Sequence, residues 1–506
     1  MSSVLLGLDL GTSSLKALAI DPSGRVLGQA SAGYPTAMPH PGWAEQDPDD
    51  WWTAVTEATR QLSTLDAMRN VSVAAIGLTG QMHGPVLLDE RGLTLGPCLI
   101  WSDSRTLTEV DEVGDAIGPE RLIATTGSAA NASYTGVKLL WLRRHRPALF
   151  ERTRHVVLPK DLLGYWLTGR LLTDFSDASA TLLFDVVRRE WSHEILLGLG
   201  LLPQLLPAAH ASSSISGPLL PKPARELGLD AGIPVVVGGG DAPTAALALG
   251  LDGSDPTVGL LTLGTSGQLL VASAQPRLDR RGRLHTLCHV LPEQWCVMAA
   301  ILSAGASLNW VSRLVGAGVP VQQLLKEAAG VPGGAQGVLF APYLSGERTP
   351  HMDAGAAGTF VGLRAAHGRA ELVRAALEGV AFAFRDGLEA QRQAGLEVSV
   401  VRCTGGGARS PLWCQILASV LNRRVEVLYN EQGSAYGAAL LAGSGIGVLD
   451  IHEIQRPQQV AARHEPIEPL VSVYDEHYGR YARLYEATRK FALPLQLPTG
   501  TATPAH

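Results

Sequence analysis

Residues 4–8 form a short apolar run that predicts a buried strand, closed by the acidic Asp9. Residues 15–21 predict a second strand, Asp21-Pro22-Ser23-Gly24 has turn chemistry, and residues 25–30 can return as a third. Further apolar, β-rich runs stand at 73–78, 86–88 and 235–237, then at 260–263, 269–272, 337–340 and 398–403. Helical patterns fill 49–62, 369–394 and 411–421. Such alternation predicts an α/β chain with layered sheets and helices. Residues 471–491 read as one helix, with Tyr474, Tyr478, Tyr481 and Tyr485 on a single packing face, and the chain is expected to fray from Leu495. No low-complexity block, charge run or short-period repeat interrupts the pattern.

At 506 residues the chain exceeds one ordinary core. Leu8-Asp9-Leu10-Gly11-Thr12-Ser13 is echoed by Leu261-Thr262-Leu263-Gly264-Thr265-Ser266, which points to two similar domains facing one another. Turn residues at 245–258 place their boundary there, giving domains of 1–245 and 246–506. Hydrophobic residues make up 46% and charged residues 17%, a globular balance. A net charge of −6 gives no reason to expect nucleic acid or an anionic membrane as partner. The apolar stretch 233–251 is interrupted by glycines, Asp241 and Pro243, so it reads as strand, turn and helix rather than a membrane span. Five cysteines without CxxC spacing argue against a zinc site or disulfide framework, and with no leader-like start a cytoplasmic location is expected.

The turn after Asp9 offers backbone N–H groups and small hydroxyls beside a carboxylate, which suits phosphate oxygens and a hydrated magnesium ion; a plain polar hairpin reads equally well. There is no GxxxxGK[ST] loop, HRD, DFG, GxSxG or HExxH, so any phosphates must rest on the Gly-Thr-Ser turns. Gly238-Gly239-Gly240 opens the backbone ahead of Asp241, whose carboxylate could take a proton from an attacking hydroxyl. Asp241 would serve as well as the N-cap of a helix reaching 249. Gln81 and His83 bring hydrogen-bonding groups to a glycine-flanked turn, as a polyhydroxylated ligand requires. Trp101, Asp103 and Arg105 suit a sugar, although Asp103 would also cap a helix. Gly405-Gly406-Gly407, ahead of Ser410, forms a candidate nucleotide platform.

Over essentially its whole length the chain resembles the FGGY carbohydrate kinases, and within them the xylulokinases. The matching segments run in the family's order: DLGTSSLKA, GLTGQMHG, IWSDSRT, PKDLLGYWLTG, DFSDASATLLFDV, VVVGGGDAP, LGTSG, PYLSGERTPHMD, LEGVAFAFRDG, TGGGARSPLW and GAALLAG. GQMHG and LSGERTPH are the ones that favour xylulokinase. The resemblance implies two actin/hexokinase-like (ribonuclease H-like) domains around a central cleft. It also implies ATP with Mg²⁺, and phosphorylation of D-xylulose to D-xylulose 5-phosphate. Asp241 would be the catalytic base, Met82 and His83 would lie at the sugar, and Asp9 would be needed near the metal. Gly11, Thr12, Ser13, Gly264, Thr265 and Ser266 would line the phosphates; Gly406, Gly407 and Ser410 would line the nucleoside. Asp103 and Arg105 are further sugar contacts on this reading. Partners are a small-molecule sugar and ATP, with a homodimer allowed. One departure stands out: Ala242 and Pro243 follow Asp241 where many xylulokinases carry Asn, so another ketose or polyol is the alternative acceptor. A non-metabolic actin-like ATPase is a remote one.

Overall fold

Two seven-stranded sheets organise the chain, and each grows from a hairpin whose turn reads Gly-Thr-Ser. The computed structural model describes residues 2–316, 318–428, 433–450 and 460–491. In the first sheet, β1 (Ser2–Leu10), β2 (Ser14–Ile20) and β3 (Val26–Gly33) are antiparallel neighbours. On the other side of β1 lies β4 (Val71–Gly80), parallel to it, with Asp9 beside Thr79. The edge strand β5 (Ile215–Pro218) is antiparallel to β6 (Pro234–Val236), which runs parallel beside β4. The two residues of β7 (Gly239–Gly240) also pair with β4.

The second sheet begins with the hairpin of β8 (Val258–Leu263) and β9 (Gly267–Ser273). Beyond β9, β10 (His285–Cys288) lies outside β11 (Trp295–Ile301), both antiparallel to their neighbours. Beside β8 run β12 (Val400–Thr404) and β13 (Arg424–Leu428), both parallel, with β14 (Val460–His464) as the antiparallel edge. The order β3-β2-β1-β4-β6 therefore recurs, with the same strand senses, as β11-β9-β8-β12-β13.

The strands are apolar on both faces because helices cover both. Leu6, Leu8 and Leu10 of β1 meet Trp51, Val55 and Leu62 of α1 (Pro48–Ser63), while Leu5 joins a cluster on the opposite face. The other helices that matter here are α2 (Phe175–Ser179), α3 (Asp241–Ala248), α4 (Arg369–Gln393), α5 (Pro411–Leu421) and α6 (Ser434–Gly445). Although α6 follows the strands of the second sheet in sequence, it packs on β1 and β4 of the first. The fit is close: a Cβ on Gly7 would stand 1.9 Å from the Ala435 carbonyl oxygen, and one on Gly77 1.8 Å from that of Ala438.

Two expectations need correcting. The single C-terminal helix is broken into α7 (Glu468–Tyr481) and α8 (Leu484–Thr488). Tyr474, Tyr478 and Tyr481 gather around Phe382, whereas Tyr485 stacks on His351 at 3.7 Å and donates to Asp353. The strand expected at 337–340 begins only at Leu339, because a 3₁₀ turn over Ala335–Gly337, with Gln336 at φ 52°, occupies its first residue. The fraying expected from Leu495 lies outside the described residues. No helix among the described residues is long and apolar enough to cross a membrane.

Candidate active site

Asp9 leaves β1 into the first Gly-Thr-Ser turn. Its Oδ2 accepts a 2.5 Å hydrogen bond from the Ser434 hydroxyl at the start of α6. Its Oδ1 is buried without a protein partner. Burial raises the pKa of this carboxyl above its ordinary value, partly offset by the Ser434 bond and the nearby Lys16 charge. The protein ties the turn's oxygens back: the Tyr34 hydroxyl donates to the Gly11 carbonyl, and the Gln46 amide donates to the Thr12 carbonyl at 2.6 Å. The Trp101 indole donates to Thr12 Oγ1 at 2.9 Å. Gln81 serves this scaffold too. It is buried and donates to Gln46 Oε1 at 2.7 Å, so its amide braces the residue that holds the Gly11–Ser13 turn.

Asp241 emerges where β7 passes into α3. The Gly240 N–H donates to Ser176 Oγ at 3.0 Å, and Ser176 in turn donates to Asp174 at 2.6 Å. Asp174 lies 3.3 Å from the buried ammonium of Lys160. This network fixes the backbone just ahead of the carboxylate. The N-cap position itself falls on Gly240, and Asp241 Oδ1 accepts from the adjacent Ala242 N–H at 2.7 Å. Burial, followed by the negative charge of Asp9, pushes the Asp241 pKa up to about 7.

The carboxylate faces a cavity of about 130 Å³ lined from both halves, by Thr12, Met82, His83, Trp101 and Asp241 on one side and Ser266, Gln268, Met298 and Arg348 on the other. Met82 underlies Gly240, where a Cβ would come within 2.8 Å of its methyl. His83 Nδ1 lies 2.6 Å from the Ala180 carbonyl oxygen, which can only accept, so Nδ1 carries the proton and Nε2 is an acceptor. Burial pushes the His83 pKa down to about 3, leaving the ring neutral.

Asp103 and Arg105 are placed differently from the sequence expectation. Arg105 binds both Asp103 oxygens, pairs with Glu45 at 2.6 Å and stacks on Trp43 at 3.6 Å, with a side chain only 2% exposed. Asp103 also accepts from the Ala44 N–H at 2.6 Å. It borders a neighbouring cavity, but its charge is already matched; Arg105 lines neither cavity. Each charge satisfies the other and so holds a loop.

In the second half, Ser266 reaches the cavity, while the Gly264 and Thr265 carbonyls accept from the backbone at 304–306. Gly405 has φ 90°, and a Cβ there would stand 2.7 Å from the Leu263 carbonyl oxygen, so the platform turns sharply off β12. Gly406 is the open face, with nothing within 4 Å of an added Cβ, whereas Gly407 packs on Leu263. Ser410 caps α5 by accepting from the Trp413 N–H at 3.3 Å. Tyr34, Gln46, Ser176, Arg348 and Ser434 were not singled out from sequence. Of these, Ser176, Arg348 and part of the Ser434 neighbourhood lie in or beside the quoted segments DFSDASATLLFDV, PYLSGERTPHMD and GAALLAG.

Comparison with known proteins agrees with this geometry. Residues 4–248 match the N-terminal domain, and residues 259–446 the C-terminal domain, of the FGGY family of carbohydrate kinases. The chain is 37% identical to a xylulose kinase of Escherichia coli (strain K12), over 95% of its length and 98% of that protein's. It is 35% identical to a xylulose kinase of Bacillus subtilis (strain 168), over 96% and 97%. The crystal structure of a xylulose kinase from Rhodospirillum rubrum superposes with a TM-score of 0.89 at 32% identity, covering 96% of this chain and 99% of that one.

Proposed function

Because the chain belongs to the FGGY family of carbohydrate kinases, we propose that it phosphorylates D-xylulose with ATP, giving D-xylulose 5-phosphate and ADP. It is a sugar kinase; the acceptor and the residue roles are the reading developed here. The observation that carries it is the Asp241 carboxylate, facing a cavity with Met82 and His83 and set near the Asp9 turn.

The acceptor hydroxyl donates its hydrogen to Asp241, and its oxygen attacks the γ-phosphorus of ATP. The bond to the β-phosphate oxygen breaks, ADP leaves, and the proton ends on Asp241. A carboxyl poised at about 7 is basic enough to accept that proton and still ionised in a useful fraction. The neutral His83 offers an acceptor nitrogen to a second hydroxyl. Gly11–Ser13 and Gly264–Ser266 approach the phosphates from opposite halves, and the open Gly406 receives the nucleoside.

Asp9 fits a hydrated divalent cation, because one of its oxygens is buried and unpartnered. Among the described residues no cluster of three His, Cys, Asp or Glu would hold a metal alone, so Asp9 would share Mg²⁺ with water and phosphate oxygens. When bound, Mg²⁺ supplies charge neutralisation on the phosphates. A cytoplasmic location completes the reading.

The second reading, another ketose or polyol, is favoured by Ala242, which borders the cavity with a methyl group where an amide would bond a hydroxyl. A panel of ketoses and polyols assayed for ADP release decides between them. D-xylulose is expected to give the highest kcat/KM, and a clear preference for ribulose, glycerol or gluconate would replace it.

A further inference from the structure

Beside the cavity at Asp241 lies a larger one of about 390 Å³, and the two share Trp101, Leu302 and Arg348 at their junction. Its polar wall comes from both halves of the chain, with Asn131 and Ser133 from the first and Glu347 and Arg348 from the second. Two of these side chains hold buried atoms with no protein partner, Nδ2 of Asn131 and Oε2 of Glu347. Glu347 is 1% exposed, and its other oxygen is fixed by the N–H groups of Leu302 at 2.9 Å and Arg348 at 2.8 Å. The guanidinium of Arg348 donates to the Ser133 hydroxyl, and among the described residues it forms no ion pair. Two other interior cations are paired, Lys160 with Asp161, Asp174 and Asp177, and Arg105 with Asp103 and Glu45, while the buried Lys138 is satisfied by the Ile100 and Ser133 carbonyls.

Unsatisfied buried polar atoms are costly, and the two at this cavity, Asn131 Nδ2 and Glu347 Oε2, together with the Arg348 guanidinium that lacks an ion-pair partner, are relieved by a ligand rich in oxygens. Burial pushes the Glu347 pKa up to about 8, so near neutral pH its carboxyl is mostly protonated and can donate as well. Amide, guanidinium and carboxyl all offer hydrogens. With the Asp103 and Asp353 carboxylates on the same wall as acceptors, the cavity suits a chain of hydroxyls and a carbonyl oxygen.

We propose that this second cavity is the subsite for the end of the acceptor remote from the phosphorylated hydroxyl, with Asn131, Glu347 and Arg348 reading its oxygens and so setting acceptor length. The inference rests on the kinase reading above. The reacting hydroxyl lies at Asp241, and an open-chain ketose passes the junction between Trp101 and Arg348. The cavity has room for a chain longer than five carbons, so a six-carbon ketose is accepted as well.

The test compares initial rates on four-, five- and six-carbon ketoses for the parent, Asn131→Ala, Arg348→Lys and Ser133→Ala, with the KM for ATP measured in each. The parent should favour the two longer ketoses over the four-carbon one by at least about tenfold in kcat/KM. Asn131→Ala and Arg348→Lys should each lose on the order of 10–100-fold on the longer acceptors, mainly through KM. For Asn131→Ala the rate on the four-carbon ketose and the KM for ATP should change little; Arg348 also lines the cavity at Asp241, so for Arg348→Lys only the KM for ATP is expected to hold. Ser133→Ala removes the link between the halves but not the oxygen-reading groups, so it should keep the parent's length preference. Equal losses on all three lengths would overturn the proposal, and so would Ser133→Ala reproducing Arg348→Lys. Should Arg348→Lys not fold, Asn131→Ala carries the same comparison. A parent that prefers another ketose yet keeps a length preference lost in these variants sinks the xylulose assignment alone; a xylulose-specific parent whose variants lose equally on all three lengths sinks this one alone.

Discussion

Asp9 and Asp241 are two carboxylates sharing one low-dielectric site, and burial first, then the charge of Asp9, pushes the Asp241 pKa up to about 7. Replacing Asp241 by Asn keeps the shape and removes the proton acceptor. Phosphorylation should fall roughly 10²–10⁴-fold, with ATP binding retained. In the parent, kcat/KM should rise with pH through about 7 as Asp241 ionises. Stability moves the other way. The folded state holds a proton on Asp241 between 3.8 and about 7 that the unfolded chain has lost, so ionising it as pH rises weakens the fold. Asp241→Asn should therefore melt higher than the parent at pH 8 and close to it at pH 4, as thermal scans at the two pH values would show. A variant equally stable but still active would leave Asp241 as a structural residue.

The same scale shows what a sequence can and cannot carry. GGGD, GQMHG and the Gly-Thr-Ser turns were legible as candidates from their glycines, and the structure brings Asp241, Met82, His83, Thr12 and Ser266 to one cavity. The roles of Asp103 and Arg105 were not legible, since a charged pair reads alike whether it faces a ligand or itself. Ser434 was invisible for another reason: it meets Asp9 across 425 positions of chain.

Among the elements, α6 couples the two halves most directly. It reaches β1 and β4 only because Gly7 and Gly77 let its backbone come close. In Gly77→Ala the methyl would meet the Ala438 carbonyl oxygen at 1.8 Å, so α6 must move. A loss of about 3 kcal/mol is expected in denaturant unfolding, at the upper end for overpacking. Ser434→Ala tests the functional end of the same helix without disturbing its packing. It removes the donor to Asp9, a hydrogen bond to a charged group worth about 1.5–3 kcal/mol. Unfolding should weaken by no more than that amount, and in the folded variant kcat/KM for ATP should fall by roughly 10–100-fold. An unchanged ATP dependence would mean that Asp9 takes no part in nucleotide binding. Strand and helix spans were legible because periods of 2 and 3.6 survive in single segments. The break between α7 and α8 was not, because Tyr485 is drawn away by His351 and Asp353, residues distant in sequence.

For the whole molecule, the echo of LDLGTS in LTLGTS marked a real repetition, since both strings end the first strand of equivalent hairpins. Along one flank the halves are joined by fixed bonds. The Tyr134 hydroxyl meets His285 at 2.8 Å, the Cys288 N–H donates to Ser179 at 2.9 Å, and the Trp295 indole donates to the Val186 carbonyl at 2.8 Å. The cavity at Asp241 is nonetheless walled by both halves, and the two Gly-Thr-Ser turns lie in different halves, so an approach of the halves on the ligands is expected, with the bonded flank as the pivot and water excluded on closing. Solution scattering should show a smaller radius of gyration with sugar plus an unreactive ATP analogue than with neither. Either ligand alone should fall between, because each touches both halves but leaves part of the wall unfilled. Arg348→Lys should weaken the compaction by sugar, since its guanidinium links the two halves through Ser133. Identical profiles with and without both ligands would mean that substrates enter without the halves separating, and the two Gly-Thr-Ser turns would then have to grip the phosphates from fixed positions.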